Sequence, residues 1–329
     1  MILHRSITVL GCPPEPAPPP RKVAIVVNPR AWRASTALAE LLRRSRLLGL
    51  GLPEVLATTP ESPGRDQAAR AAHRGADLVV AIGGDGTLRE VATSLAGTAI
   101  CLGIIALGSG NVLAYNLGIL GHDLADQAAI ALTGPRAGLD VGWASCDSAA
   151  PQAFLTMAGI GRDASAVART RGRLKARLGP FAYGLAGLGE ALRAAVPMRV
   201  QRDDEPARNL MTWTVLAGIT PAAPGGILIH PDGLLDDGLL DVLEVPIRHP
   251  GQWLPVGWKG ISHHRRPVPA LRSRQAHRLF VQPAGPQPVQ LDGDVFQRVH
   301  ELRIDLAARA LAVRIPPAKV MAAPRRPAG

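Results

Sequence analysis

The segment that most constrains the fold is Gly83-Gly84-Asp85-Gly86-Thr87, which directly follows the apolar run 78–82 and opens the helix-period segment 88–95. An apolar run without alternation is typical of a parallel strand that is buried on both faces. Glycines after such a strand let backbone N–H groups approach phosphate oxygens, and the helix N-terminus adds partial positive charge. Strand, glycine-rich turn and helix in this order predict a phosphate-binding loop, with an ordinary βα turn as the alternative.

The same alternation runs through the first half of the chain. Apolar runs at 23–27, 78–82 and 100–105 predict buried strands, and the segment 36–48 has leucines at helical spacing with its arginines elsewhere. Alternating strands and amphipathic helices are typical of βαβ units. They predict a doubly wound α/β nucleotide-binding domain at the N-terminus.

A second glycine-rich loop, Gly108-Ser109-Gly110-Asn111, follows the strand at 100–105. Ser109 could donate its hydroxyl to a phosphate, and Asn111 could cap the next helix. Asn28 ends the first strand. Because ligands collect outside the carboxyl ends of parallel strands, we expect these residues and the Gly83–Thr87 loop at one edge of the sheet.

The sequence pattern changes after about residue 140. Strand-like stretches separated by Gly/Pro turns follow, and two helical insertions interrupt them at 181–195 and 253–263. The predicted strands are 154–158, 213–217, 239–245, 279–282 and 289–291. This pattern predicts a mostly antiparallel C-terminal β-sandwich domain, and 329 residues suit two domains.

The charge balance narrows the class of partner. The chain carries a formal net charge of +11, which favours a polyanionic partner such as an anionic membrane surface or a phosphorylated ligand. Nucleic acid is not expected, because aromatic residues make up only 3% of the chain and no stacking platform or recognition motif occurs. Three cysteines without paired spacing indicate a reduced compartment.

Taken together, these segments resemble the diacylglycerol kinase catalytic-domain lipid kinases, which include bacterial lipid kinases and sphingosine kinases. The matching landmarks are Asn28-Pro29, Gly83 to Thr87 with Glu90, Gly108 to Asn111, Asp236 to Asp241 and Leu291 to Asp294. The Gly-Gly-Asp-Gly motif alone also occurs in NAD kinases and phosphofructokinases, whose nucleotide domains have this fold. The two later segments separate the chain from those relatives.

The resemblance implies an ATP-dependent lipid kinase of phospholipid biosynthesis that transfers the γ-phosphoryl group to a lipid hydroxyl. The acceptors open to it are a diacylglycerol-like lipid, phosphatidylglycerol or a sphingoid base. The implied ATP-binding residues are Asn28, Thr58 (or Thr59), Gly83, Gly84, Asp85, Gly86, Thr87, Glu90, Gly108, Ser109 and Asn111. The implied catalytic residues are the general base Asp294, its neighbour Asp292, and Asp85, which would orient a Mg²⁺-bound phosphate. A structural or regulatory Mg²⁺ site is implied at Asp237 with the carbonyls of Leu234 and Leu239.

The change of sequence pattern after about residue 140 divides the chain into domains. Residues 21–145 form the ATP-binding domain, which strands at about 301–316 rejoin, and residues 146–300 form the β-rich lipid-substrate domain. Residues 1–20 are rich in proline, which predicts a disordered leader, and residues 320–329 form a loose basic tail.

Three positions depart from the family pattern: Arg89 stands where Asn is frequent, Val112 where many members have Asp, and Asp294 where Glu is usual. Asp keeps the carboxylate of Glu but shortens its reach. Two alternatives remain open. One is a NAD kinase, which only the motif Gly83 to Thr87 favours, and the other is a non-catalytic nucleotide-binding protein of the membrane surface, which Arg89, Asp294 and a basic segment favour.

Basic residues between Arg162 and Arg177 precede the segment 178–195, whose apolar residues recur at helical spacing. Such a pair of features suits an anionic membrane surface, with a solvated face beside a core helix as the alternative. We expect a cytoplasmic protein that is peripheral to the inner face of the membrane. A homodimer remains open.

Overall fold

The computed structural model describes residues 10–165, 193–223, 227–228, 233–247, 250–253 and 271–317. The helices are α1 (Ala34–Leu47), α2 (Arg65–His73), α3 (Asp85–Leu95), α4 (Val112–Asn116) and α5 (Leu124–Thr133), and a 3₁₀ turn spans Pro250–Gln252. The strands of the first half are β1 (Val23–Val27), β2 (Glu54–Ala57), β3 (Leu78–Gly83), β4 (Cys101–Ala106), β5 (Arg136–Cys146), β6 (Gln152–Phe154) and β7 (Met157–Gly161). Those that follow are β8 (Val196–Arg202), β9 (Arg208–Thr212), β10 (Thr214–Gly218), β11 (Ala222–Ala223), β12 (Ile227–Leu228), β13 (Leu240–Glu244), β14 (Arg272–Ala276), β15 (Arg278–Pro283), β16 (Gln287–Leu291), β17 (Asp294–Val299) and β18 (Leu302–Arg314).

The N-terminal half is built on four parallel strands in the order β2-β1-β3-β4. Helices cover both faces, because alternate residues of each strand point to opposite sides. One face packs against α2 and α3, and the other against α1 and α5. On α3 the residues Leu88, Val91, Ala92 and Leu95 are fully buried at the i, i+3, i+4, i+7 spacing of an amphipathic helix. The predicted doubly wound α/β domain is confirmed.

One long strand connects the two halves of the molecule. β18 pairs in parallel with β4 at its C-terminal end, with Ala312 opposite Cys101, and antiparallel with β15 at its N-terminal end. It also pairs with β5 along most of its length. The resulting ten-stranded sheet continues from the parallel region into β15, β8 and β9.

The C-terminal half is a sandwich. A six-stranded sheet in the order β14-β13-β10-β7-β16-β17 has antiparallel neighbours throughout. Its inner side chains form one core with those of β8, β15 and β18, among them Ile160, Val215, Val200, Val281 and Ile304. The predicted antiparallel β-sandwich is confirmed.

The details of several elements differ from the predictions. The predicted strand 154–158 is two strands separated by a bend at Leu155 and Thr156. The bend arises because the Asp292 side chain accepts the N–H groups of that segment, which takes them out of the sheet ladder. Helix α3 begins at Asp85 rather than at residue 88. Most of the predicted insertions at 181–195 and 253–263, and the tail at 320–329, lie outside the described residues.

Residues 10–20 make specific contacts, in contrast to the disorder predicted for 1–20. Glu15 and Arg136 exchange both backbone hydrogen bonds at 2.8 Å, and Cys12 donates its N–H to Asp236 at 2.9 Å. Arg314 donates to the carbonyl of Pro18 at 3.0 Å. Proline removes a donor but keeps its carbonyl, so a proline-rich segment can still be held by its other residues. Residues 1–9 lie outside the described part.

Candidate active site

The four parallel strands end at one edge, and the loops that leave this edge are bonded to neighbouring strands. The N–H of Thr58 donates to the carbonyl of Val27 at 2.8 Å. The N–H of Leu107 donates to the carbonyl of Gly83 at 2.8 Å. Asn28 leaves β1 at the same edge, with its N–H on a β3 carbonyl. The structure therefore brings the loops after β1, β2, β3 and β4 together, as ligand sites of doubly wound sheets require.

The loops after β3 and β4 touch each other through glycines. A β-carbon built on Gly84 would lie 3.1 Å from the Cα of Gly108, and one on Gly108 would lie 2.7 Å from the Cα of Gly84. Any side chain at either position would force the loops apart. The two glycine-rich loops thus form one continuous backbone surface beside the start of α3.

Asn111 acts differently from the prediction that it caps the next helix. It occupies the N-cap position of α4 in left-handed conformation, with φ 48°, but its side chain makes no capping bond. Instead it accepts the N–H of Gly108 at 2.8 Å and donates to the Gly108 carbonyl at 2.7 Å. Asn111 therefore closes its own loop, and the cap prediction is wrong.

Asp85 is the first residue of α3 and its carboxyl group is buried. Burial raises the pKa of Asp85 to about 6, and the nearby Asp292 carboxylate adds to the rise, while the backbone amides of residues 111–113 oppose it. Its Oδ1 is enclosed and has no hydrogen-bond partner among the described residues. A buried carboxylate with an unsatisfied oxygen and a second carboxylate nearby suits a bound cation.

Asp292 and Asp294 lie on the tight turn between β16 and β17. Asp292 is left-handed, with φ 50°. Its Oδ1 accepts the N–H of Thr156 at 2.8 Å and the Thr156 hydroxyl at 2.7 Å, and its Oδ2 accepts the N–H of Leu155 at 3.0 Å. The carboxylate of Asp292 is therefore engaged in fixing the turn against the bend between β6 and β7.

Asp294 lies against the first turn of α3. A β-carbon built on Gly86 would lie 3.4 Å from Asp294 Oδ2. The same oxygen accepts a hydrogen bond from Arg89 Nη2 at 2.9 Å, while the Asp294 side chain remains 38% exposed. The turn after β16 and the loop after β3 are thus in contact, although about 200 residues separate them in the chain.

Arg89 stands out in the sequence only as a departure from a family pattern. In the structure it is buried, and it donates to the Leu291 carbonyl at 2.9 Å as well as to Asp294. Its guanidinium carbon also lies 5.6 Å from the centroid of the Phe296 ring. The sequence signal that could have indicated this contact is that two of the departures from the family pattern, Arg89 and Asp294, carry opposite charges.

The other predicted nucleotide residues surround the same loops. Thr87 is buried inside the first turn of α3, and Ser109 is at the tip of its loop. Glu90 lies 3.3 Å from Arg65 on α2. Thr58 is buried at the sheet edge, whereas the hydroxyl of Thr59 accepts the N–H of Ser62 at 3.1 Å.

A second acidic group lies where β5 passes the loop before β13. Asp237 accepts the N–H of Leu239 at 3.1 Å, and Asp140 accepts that of Gly238 at 2.7 Å. Burial raises the pKa of Asp140, and Asp237 and Asp236 add to the rise. Sequence reasoning missed Asp140. This negative charge lies beside the predicted site of Leu234, Asp237 and Leu239, but the described residues contain no group of three His, Cys, Asp or Glu side chains arranged to hold a metal.

Two features bear on contact with a membrane. No helix in the described part of the chain is both long and apolar enough to cross a bilayer. Of the basic run from Arg162 to Arg177, only Arg162 and its immediate neighbours up to residue 165 are described, so the predicted membrane-facing segment lies outside the described residues.

The chain is similar to several known proteins. Residues 22–144 match the family model of the diacylglycerol kinase catalytic domain. Diacylglycerol kinase of Bacillus subtilis is 27% identical over 279 residues, which cover 83% of this chain and 90% of that protein. Diacylglycerol kinase of Mycobacterium tuberculosis is 30% identical over 226 residues, which cover 67% of this chain and 72% of that protein.

A solved structure supports the fold. The crystal structure of a diacylglycerol kinase from Bacillus anthracis superposes with a TM-score of 0.69 at 20% identity, covering 92% of this chain and all of that one. The sequence matches extend the relationship from fold to family, whose members are phosphotransferases that use an alcohol as acceptor. The chain belongs to the diacylglycerol kinase family of lipid kinases.

Proposed function

We propose that this protein transfers the γ-phosphoryl group of ATP to the hydroxyl of a lipid, with a diacylglycerol-like lipid as the first candidate acceptor. The observation that carries the proposal is the contact of Asp294 with the first turn of α3. A carboxylate from the C-terminal half is held beside a backbone surface suited to phosphate. The names of the curated relatives favour diacylglycerol over phosphatidylglycerol and sphingoid bases.

In this proposal the domain of residues 21–145, together with the end of β18, contains the ATP site, and the domain of residues 146–300 contains the lipid site. Backbone N–H groups of Gly84, Gly86 and the first turn of α3 cradle the phosphates, while Gly83 leaves room for the Thr87 side chain and Gly108 lets the two loops lie close together. The residues that line the rest of the nucleotide site are Asn28, Thr58, Thr87, Glu90, Ser109 and Asn111.

The chemical step needs one proton acceptor. The lipid hydroxyl oxygen attacks the γ-phosphorus of ATP, and a new O–P bond forms as the bond to the β,γ-bridging oxygen breaks. The bridging oxygen leaves with the electron pair as part of ADP, and the hydroxyl proton passes to the Asp294 carboxylate. The products are a lipid phosphomonoester and ADP. Asp292 contributes by holding the turn that carries Asp294.

A divalent cation, which we propose to be Mg²⁺, suits the buried Asp85 carboxylate with its unsatisfied Oδ1. When bound there with ATP it would offset the negative charge of the transferring phosphoryl group. We also propose a structural Mg²⁺ at Asp237 and the carbonyls of Leu234 and Leu239, supported by the neighbouring Asp140 and Asp236.

The acceptor is a membrane lipid, so the enzyme must work at an interface. The net charge of +11 supports attraction to anionic lipid on the inner face of the cytoplasmic membrane. Each basic residue near such a surface contributes about 1 kcal/mol to binding. We therefore propose a peripheral enzyme that visits the membrane.

The test is a γ-³²P-ATP transfer assay with Mg²⁺ and mixed micelles that contain diacylglycerol, phosphatidylglycerol or a sphingoid base, with NAD as a further acceptor. We expect labelled lipid from diacylglycerol. Labelled NADP would favour a NAD kinase instead. ATP binding without any labelled product would contradict the kinase proposal and favour a nucleotide-binding membrane-surface protein.

A further inference from the structure

Arg89 bonds both to the β16 backbone and to the carboxylate of Asp294. Its Nη1 donates to the Leu291 carbonyl and its Nη2 to Asp294 Oδ2, each at 2.9 Å. The Arg89 side chain is only 8% exposed, and its guanidinium carbon lies over the Phe296 ring of β17, 5.6 Å from the centroid. A planar guanidinium has donors in a fixed fork, so two separate bonds set the orientation of whatever they hold.

We infer that Arg89 is a positioning residue that sets the place of the Asp294 carboxylate over the first turn of α3. The inference rests on the proposed function, in which Asp294 accepts the hydroxyl proton. One end of the fork fixes the last residue of β16, and the other end fixes the carboxylate three residues later. Because Arg89 itself belongs to α3, it fixes the position of the base relative to the helix whose N-terminus faces the phosphates.

The surrounding charges keep Arg89 in this orientation. Its Nε lies 3.9 Å from Glu90 Oε1, and Glu90 Oε2 lies 3.3 Å from Arg65 Nε. Arg65, Glu90, Arg89 and Asp294 thus alternate in sign from α2 through α3 to the turn between β16 and β17. In a partly desolvated setting such a chain is stabilised at each step by the neighbour of opposite charge.

The pair also explains why the shorter carboxylate suits this chain. Asp294 Oδ2 lies 2.9 Å from Arg89 and 3.4 Å from where a β-carbon of Gly86 would lie. One added methylene at position 294 would move the carboxylate away from the point where it now accepts from Arg89 Nη2. Arg89 and Asp294 are therefore matched to each other, and a longer acid at 294 needs a shorter side chain at 89.

The first part of the experiment compares Arg89→Gln and Arg89→Lys with the wild type in the lipid transfer assay. We expect Arg89→Gln to lower kcat about 100-fold while KM for ATP stays within about twofold, because only the base loses its place. Lys keeps the charge but reaches one of the two acceptors, so Arg89→Lys should lose about tenfold.

The matched control is Arg202→Gln. Arg202 is 7% exposed and pairs with Glu205 at 2.8 Å, so its removal also takes a buried arginine from an ion pair, but in the sandwich. We expect this variant to keep kcat within about twofold of the wild type. A loss in Arg202→Gln equal to that in Arg89→Gln would assign the effect to general destabilisation and overturn the inference.

The second part tests the matching of the two side chains. Asp294→Glu alone should lose about 100-fold in kcat, and Asp294→Glu combined with Arg89→Asn should recover at least about tenfold of that loss. Additive losses in the double variant would contradict the inference. Wild-type kcat in Arg89→Gln would also contradict it. If Arg89→Gln does not fold, wild-type kcat in Arg89→Lys would overturn the inference in its place.

The two proposals fail in different ways. Absence of lipid transfer by the wild type, or full activity of Asp294→Asn, would overturn the proposed function and the Arg89 role with it. Transfer by the wild type, loss in Asp294→Asn and no loss in Arg89→Gln would leave the proposed function standing and overturn the role of Arg89 alone.

Discussion

Asp85 and Asp294 lie at the same turn of α3 but in different environments. The carboxyl group of Asp85 is buried, has an oxygen without a partner among the described residues, and has its pKa raised to about 6. Asp294 is 38% exposed and is paired with Arg89. The fold therefore pairs the more exposed carboxylate with a counter-charge and gives the buried one only backbone amides among the described residues. The first arrangement suits a base of fixed position, and the second suits a group that awaits a cation.

The largest effect on activity is expected at Asp294, the carboxylate that is paired with Arg89. Asp294→Asn should lower kcat for lipid transfer about 10³-fold, because the amide cannot accept the hydroxyl proton. Folding should be nearly unchanged, since an amide oxygen can still accept from Arg89. The matched control is Asp204→Asn, which also removes the charge of an aspartate 2.9 Å from an arginine, Arg278. Equal activity of the two variants would remove Asp294 from the mechanism.

Asp292 lies near Asp85 and holds the turn that carries Asp294, so its replacement should affect the surroundings of both carboxylates. Asp292→Ala removes the acceptor for the N–H groups of Leu155 and Thr156, and the expected loss is about 3 kcal/mol in the free energy of unfolding. Urea denaturation measures it. An unchanged midpoint would mean that water replaces these bonds and that Asp292 does not hold the turn.

The buried Asp85 carboxylate, which has no counter-charge among the described residues, should lower the free energy of unfolding at neutral pH. The folded pKa of Asp85 is about 6 against 3.8 unfolded, so the folded state binds more protons between these values. The stability contributed by this group is full below about pH 4 and is lost as pH rises through about 6. Asp85→Asn should therefore be more stable than the wild type by about 2 kcal/mol at pH 8, with a smaller difference at pH 4. Denaturation at the two pH values without metal measures it, and a difference independent of pH would refute the account.

The smallest effect is expected at the residue that holds the N-terminal segment. Asp236→Ala should release the N–H groups of Gly11 and Cys12, which both donate to the Asp236 carboxylate, and cost about 1 kcal/mol. Limited proteolysis should then cut residues 10–20 faster, while kcat for lipid transfer stays within about twofold of the wild type. Loss of activity here would mean that the N-terminal segment supports the site.

Much of the fold could be predicted because its signals are local. Apolar runs such as 78–82 and the glycine-rich turn after them fix strand, loop and helix within a few residues. The contact of Arg89 with Asp294 joins positions about 200 residues apart, and no local pattern carries it. The bend at Leu155 was missed for the same reason, since its cause is the side chain of Asp292.

The contacts of residues 10–20 are a different case, because composition does not indicate them. Composition indicates that a segment forms no regular structure, but it does not reveal whether another part of the chain accepts its remaining N–H groups. Glu15 finds such a partner in Arg136. Asp140 was overlooked because its role depends on Asp237, which the chain reaches only about 100 residues later.

The most direct test of the difference between the two carboxylates is ATP binding by Asp85→Asn and Asp294→Asn, measured by calorimetry in the presence of Mg²⁺. If Asp85 receives a cation with the nucleotide and Asp294 acts only on the acceptor, Asp294→Asn binds ATP with a Kd within about twofold of the wild type. Asp85→Asn then binds at least about tenfold more weakly. Equal affinities in both variants, or weaker binding by Asp294→Asn, would contradict the account.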